Sequence, residues 1–110
     1  MTRSMKLYAA LAAAVVALPA YAGDCLLPPP PSKIPDGTTA SEQEMVIAMQ
    51  TLKQYDGDVN VYLKCLDFEQ RRNELSPEAL ETKHNAAVAE LQSIADKFNA
   101  QVRVFKSKHG

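Results

Sequence analysis

The residues with the most definite chemistry in this chain are two cysteines, Cys25 and Cys65. They form no C-x-x-C pair, so neither a zinc-ligand spacing nor a dithiol redox motif is present. In an oxidising compartment, two thiols in a small chain read first as one disulfide. An intramolecular Cys25–Cys65 bond is the expectation, with a bond between two copies or two free thiols as the alternatives. A loop of this size, once closed, restricts the unfolded chain by roughly 4 kcal/mol in the chain-entropy model. That is a large share of the ~5–15 kcal/mol that holds a small domain folded.

Other groups carry weaker signals. Asp56-Gly57-Asp58-Val59-Asn60 resembles the start of a calcium loop, D-x-D-x-N. Val61 stands where that loop needs glycine, and Asp67 where it needs glutamate. The segment also lies inside a helical apolar pattern, so the expectation is helix with a weak point, and a kink is plausible at Gly57. His84 falls on or beside an apolar stripe and His109 lies in the tail, too far along one rod to share a metal with it; no metal site is expected. Serines are few, no G-x-S-x-G or glycine-rich phosphate loop occurs, and no cofactor is implied. An enzyme is therefore not expected, and no catalytic residue is assigned.

The start of the chain bears on the redox compartment. Arg3 and Lys6 precede twelve residues, Leu7–Leu18, that are apolar apart from the Tyr8 hydroxyl; Pro19 and an Ala20-Tyr21-Ala22 site follow. This is the order of a secretory signal peptide over residues 1–22, with cleavage between Ala22 and Gly23. As a helix the apolar run spans ~18 Å, against ~30 Å of bilayer hydrocarbon, so no stable membrane insertion is expected after cleavage. Lipid attachment at Cys25 would need a small residue before it, and Asp24 is a poor match. The full chain has 110 residues, 12 basic and 13 acidic, and a formal net charge of −1. Without Arg3 and Lys6 the net charge is −3, a balance that speaks against nucleic acid as a partner.

The elements that must position the cysteines follow from local pattern. Pro28-Pro29-Pro30-Pro31 fixes φ and removes amide donors, which favours an extended strap over residues 23–40 rather than a signalling-domain ligand. Ile34-Pro35-Asp36-Gly37 suits a type I turn. Ser41-Glu42-Gln43-Glu44 is a capping box. Met45, Met49, Leu52, Tyr55, Val59, Tyr62, Leu63 and Leu66 then recur in helical steps. Met45 and Met49 read as core, with an adaptable binding surface as the alternative. Ser76-Pro77-Glu78 begins a second helix, and Leu80, Ala87, Val88, Leu91, Ile94, Phe98, Val102 and Phe105 give its stripe. Helices over about 41–75 and 77–106, joined by a short break, predict an all-α antiparallel hairpin within 41–108. The spacing His84, Ala87, Leu91, Ile94, Phe98 suits coiled-coil-like packing.

A bare hairpin buries little surface, and a chain of this size commonly needs a staple. Cys65 lies ~36 Å along the first helix from Ser41. Sixteen extended residues reach ~50 Å, so Cys25 can return to Cys65. Leu26, Leu27 and Ile34 would then cover the groove between the helices.

With Cys25, the proline run, Ile34-Pro35-Asp36-Gly37, Ala40-Ser41 and Tyr62-Leu63-Lys64-Cys65-Leu66, the chain resembles a group of small exported proteobacterial proteins of unknown function. The resemblance covers most of the exported part. It implies a Gram-negative periplasmic setting and carries no activity across. The L-T-x-x-Q repeats of Spy-like periplasmic chaperones are missing. The expected role is a non-enzymatic protein-interaction or structural module of the cell envelope, periplasmic or extracellular, with a protein partner or self-association. The alternatives are a ligand or metal carrier and a holdase-type chaperone.

Overall fold

The structure is a computed structural model and describes residues 25–109. The signal segment over 1–22 and the cleavage point between Ala22 and Gly23 lie outside the described residues. Two helices, α1 (Glu42–Arg71) and α2 (Pro77–His109), pack on each other, and the described residues contain no strand. The fold is an all-α hairpin with the stretch from Cys25 to Ala40 laid against it.

α1 begins where its side chains satisfy the amides that no helix turn can reach. Ser41 Oγ accepts from the Glu44 amide at 3.1 Å, and Glu44 Oε1 accepts from the Ser41 amide at 2.8 Å. The helix passes through Gly57 without interruption, so the expected weak point does not break it. A side chain at Gly57 would meet nothing within 4 Å, which places this glycine on the outer surface.

The first helix ends at Arg71, four residues before the expected end near residue 75. Asn73 adopts a left-handed conformation, φ 60°. The Asn73 amide then donates to the Gln70 carbonyl at 3.0 Å, and the Glu74 amide to the Glu69 carbonyl at 2.8 Å. These two bonds close the end of α1 in a Schellman arrangement, with asparagine in the place glycine usually takes. Leu75 leaves the helix yet still packs on the core.

α2 starts as its sequence requires. Ser76 Oγ accepts from the Ala79 amide at 3.1 Å, and Pro77 occupies the first turn, where a missing N–H costs nothing. The helix continues to His109, three residues beyond the expected end. There the His109 ring stacks on Phe105 with centroids 4.0 Å apart, and His109 Nδ1 lies 3.0 Å from the Phe105 carbonyl oxygen.

The core fixes the helix direction. Tyr55, Val59, Tyr62 and Leu66 pack with Ala87 and Ile94, whereas Met45 near the start of α1 packs with Phe98, Val102 and Phe105 toward the end of α2. Early positions of one helix meet late positions of the other, so the pair is antiparallel. Val59 and Leu66 are fully enclosed. Met49 departs from the expected stripe and is 40% exposed. His84 is also exposed, one helical turn outside the buried Ala87, so it belongs to the surface and not to the stripe.

The strap carries neither helix nor strand; Cys25 packs on the first core cluster, Ala40 is buried in the second, and Ile34 packs on both. Leu26 and Leu27 do not cover the groove as expected; they are 78% and 60% exposed. Cys25 faces α1, and the two residues that follow it turn their side chains to the surface. The turn also sits two residues later than the Ile34–Gly37 expectation. Asp36 opens it: its carbonyl accepts from the Thr39 and Ala40 amides, and its Oδ1 accepts from the Thr38 amide at 2.9 Å. An aspartate that bonds the amide two residues on is a strong turn former, and here it outweighs the proline signal.

Gly37 then lies directly on α2. Its amide donates to Gln101 Oε1 at 2.8 Å. A Cβ at this position would overlap the Gln101 carbonyl oxygen and come within 2.8 Å of the Phe105 amide nitrogen. The close approach of two backbones is what requires glycine here.

Candidate functional site

The described residues bring chemistry together at one place, where the strap begins. Cys25 and Cys65 are bonded as a disulfide, with Cα atoms 5.8 Å apart. The expected intramolecular pairing is present, and no described cysteine is free. Both cysteines are half-buried.

Glu69 lies beside them. It follows Cys65 by four residues, so the two side chains share one face of α1. Its carboxyl oxygen and the two sulfurs all lie within 4.8 Å of one another. Glu69 is 6% exposed, and its Oε2 has no hydrogen-bond partner among the described residues. Buried polar groups are nearly always paired, because leaving one unpaired costs about 1–3 kcal/mol. Sequence reading missed this residue. The available signal was the i, i+4 spacing from Cys65, but glutamate at that spacing is common on exposed helix faces. Its burial and its place beside Cys25 are tertiary features that this spacing does not reveal.

The remaining candidates are dispersed. Asp56 and Asp58 are helical residues two apart and so face different sides of α1. Asn60 Nδ2 donates to the Asp56 carbonyl at 2.9 Å, and Gln54 Nε2 donates to Asp58 Oδ1 at 3.1 Å; both are bonds along one helix. His84 and His109 are both exposed, near opposite ends of α2. Tyr55 and Tyr62 are core residues, as their shared face suggested. Burial raises the Tyr55 phenol above its ordinary value of 10.0, and the Glu90 carboxylate pushes it the same way.

No protein-family model, no curated protein and no solved structure matches this chain.

A second feature is apolar. Strap and α1 bound an open groove of about 680 Å³, lined in part by Ile34, Pro35, Ala40, Ile47, Ala48 and Thr51. Ile47 is 55% exposed beside it, and Val46 and Met49 lie nearby in sequence. Farther along α1, Val61 and Phe68 are exposed, with Arg72 over the Phe68 ring at 5.3 Å. Among the described residues, no helix is long and apolar enough to cross a membrane.

Proposed function

We propose that this chain is a non-enzymatic protein-interaction module of the cell envelope, exported to the periplasm. The observation that supports it best is the apolar surface of α1 next to the strap. Val46, Ile47 and Met49 are exposed within a single turn of α1, and Ile47 borders the open groove. Contiguous apolar surface on a small protein is the ordinary mark of a protein contact. The rest of the described surface supports the same reading. Carboxylates and histidines are spread along two rods, whereas catalysis needs them to converge in a cleft.

The test is a photoreactive side chain placed at position 47, compared with one at the exposed, polar position Glu81. The reading expects a discrete adduct from position 47, either a dimer or a single partner band, and none from position 81. Sedimentation of the oxidised chain distinguishes self-association from a separate partner. A strict monomer that gives no adduct from position 47 overturns the proposal.

A further inference from the structure

We propose that reduction of the Cys25–Cys65 disulfide opens a binding site for one thiophilic divalent cation, such as Zn²⁺, held by the two cysteine sulfurs and the Glu69 carboxyl group. The inference is independent of the interaction surface on α1.

Three observations carry it. The donor atoms of Cys25, Cys65 and Glu69 already lie within 4.8 Å of one another. Cys65 and Glu69 are one helical turn apart, a spacing at which two side chains of one rigid helix converge on a single ion. Glu69 is buried with Oε2 unpartnered, and its surroundings in the described residues do not account for that atom. An ion held between the sulfurs and the Glu69 carboxyl group would give that group a partner.

The chemistry selects the class of ion. Thiolates favour soft or borderline metals such as zinc over magnesium or calcium. Zinc binds sulfur at ~2.3 Å and carboxylate oxygen at ~2.0–2.2 Å in tetrahedral geometry. Two sulfurs on one tetrahedral ion stand ~3.8 Å apart by that geometry. The bonded sulfurs must therefore separate, and the shift falls to Cys25, which lies outside any helix or strand and is followed by the exposed Leu26 and Leu27, whereas Cys65 is held within α1. Three protein ligands leave a fourth position for water.

The disulfide gates the site. In the oxidised chain the sulfurs share a bond and offer no thiolate. A dithiol reductant supplies two electrons and two protons: its own thiols become a disulfide, the Cys25–Cys65 bond breaks, and two thiols result. Each thiol releases its proton to solvent as its sulfur bonds the cation.

The experiment uses the full chain, oxidised or reduced with dithiothreitol that is then removed without oxygen. Zn²⁺ is titrated against a chromogenic chelator. Co²⁺ is titrated separately, because its thiolate-to-metal charge-transfer band reports sulfur ligation directly. The proposal expects no competitive binding by the oxidised chain and one equivalent bound by the reduced chain, with the cobalt band. A direct ligand is worth at least the ~10-fold in affinity that outer-shell partners carry. Glu69→Gln should therefore weaken binding by at least that factor and keep the cobalt band. Helical content is followed by circular dichroism throughout. Should reduction loosen the strap or the helices, metal is expected to restore the helical signal. Equal affinity in reduced wild type and Glu69→Gln, equal binding by the oxidised chain, or no cobalt band each overturns the site.

Discussion

At its start the strap is joined to α1 by the Cys25–Cys65 bond, over a buried carboxyl group. At its far end, between Asp36 and Ala40, it rests on α2 through the Gly37 amide and a backbone contact. The first attachment is covalent and responds to thiols. The second rests on close packing and one hydrogen bond, and thiols do not touch it. Between them Ile34 is the side chain that reaches both core clusters. A small helical hairpin with narrow apolar stripes thus gains a third layer by fastening it at two points, each by different means.

The largest expected effect comes from breaking the covalent end. Cys65→Ser, or reduction, removes a closure between residues 40 apart in sequence. The chain-entropy model puts the loss at about 4 kcal/mol. Urea unfolding of oxidised and reduced chains should show a clear fall in midpoint, and an unchanged midpoint would mean that the strap adds no stability through this bond. Breaking the other end should cost less. Gly37→Ala forces a methyl group toward the Gln101 carbonyl and the Phe105 amide, and overpacking of this kind costs about 1–3 kcal/mol. If the two attachments are separate, the loss should be equal in oxidised and reduced chains. A marked difference would show that the two ends are coupled.

Smaller effects sharpen the contrast between strap and helices. Ser41→Ala removes one half of the capping box at the junction of the two, for a loss of about 1 kcal/mol. Amide hydrogen exchange should quicken in the first turn of α1 and stay unchanged near Cys65. The smallest effect is a pH dependence. The Tyr55 phenol is held above its ordinary value of 10.0, first by burial and then by Glu90. The folded chain keeps this proton while the unfolded chain gives it up, so stability falls as the pH rises through about 10 toward the folded value. Below that range this group adds no pH dependence. Tyr55→Phe should remove its share of the alkaline loss, as read by denaturant midpoints at pH 9 and 11; an identical alkaline slope in the variant would remove Tyr55 as a cause.

Helix starts were legible because capping is local chemistry. Ser41 with Glu44, and Ser76 with Pro77, lie within four residues of the amides they serve or replace. The buried faces were legible for a similar reason: Tyr55, Val59, Tyr62 and Leu66 repeat at the helix period. The Cys25–Cys65 pairing was the expectation for two cysteines in an exported chain, and reach allowed it, since the chain from Cys25 to Ser41 is long enough to return along α1. Helix ends were less legible. Asn73 can continue a helix or turn left-handed, and its intrinsic preference is too small to decide between them. The turn was placed two residues early because proline and aspartate both favour turns, and the Asp36 side-chain bond to Thr38 won.

Local pattern by itself therefore determined two amphipathic helices and, through the short break between them, their antiparallel pairing; it left the disulfide open between an intramolecular bond and its alternatives. Tertiary structure alone decided which side chains of the strap are covered. It left Leu26 and Leu27 exposed, chose Ile34 to bridge the two clusters, seated Gly37 on α2 and buried Glu69 against the sulfurs. The reason is one of range. Helix periodicity and capping act over a few residues and are written in order along the chain. Glu69 lies beside Cys25, 44 residues away in sequence, and Gly37 beside Gln101, 64 residues away, and both contacts exist only once the strap lies on the hairpin.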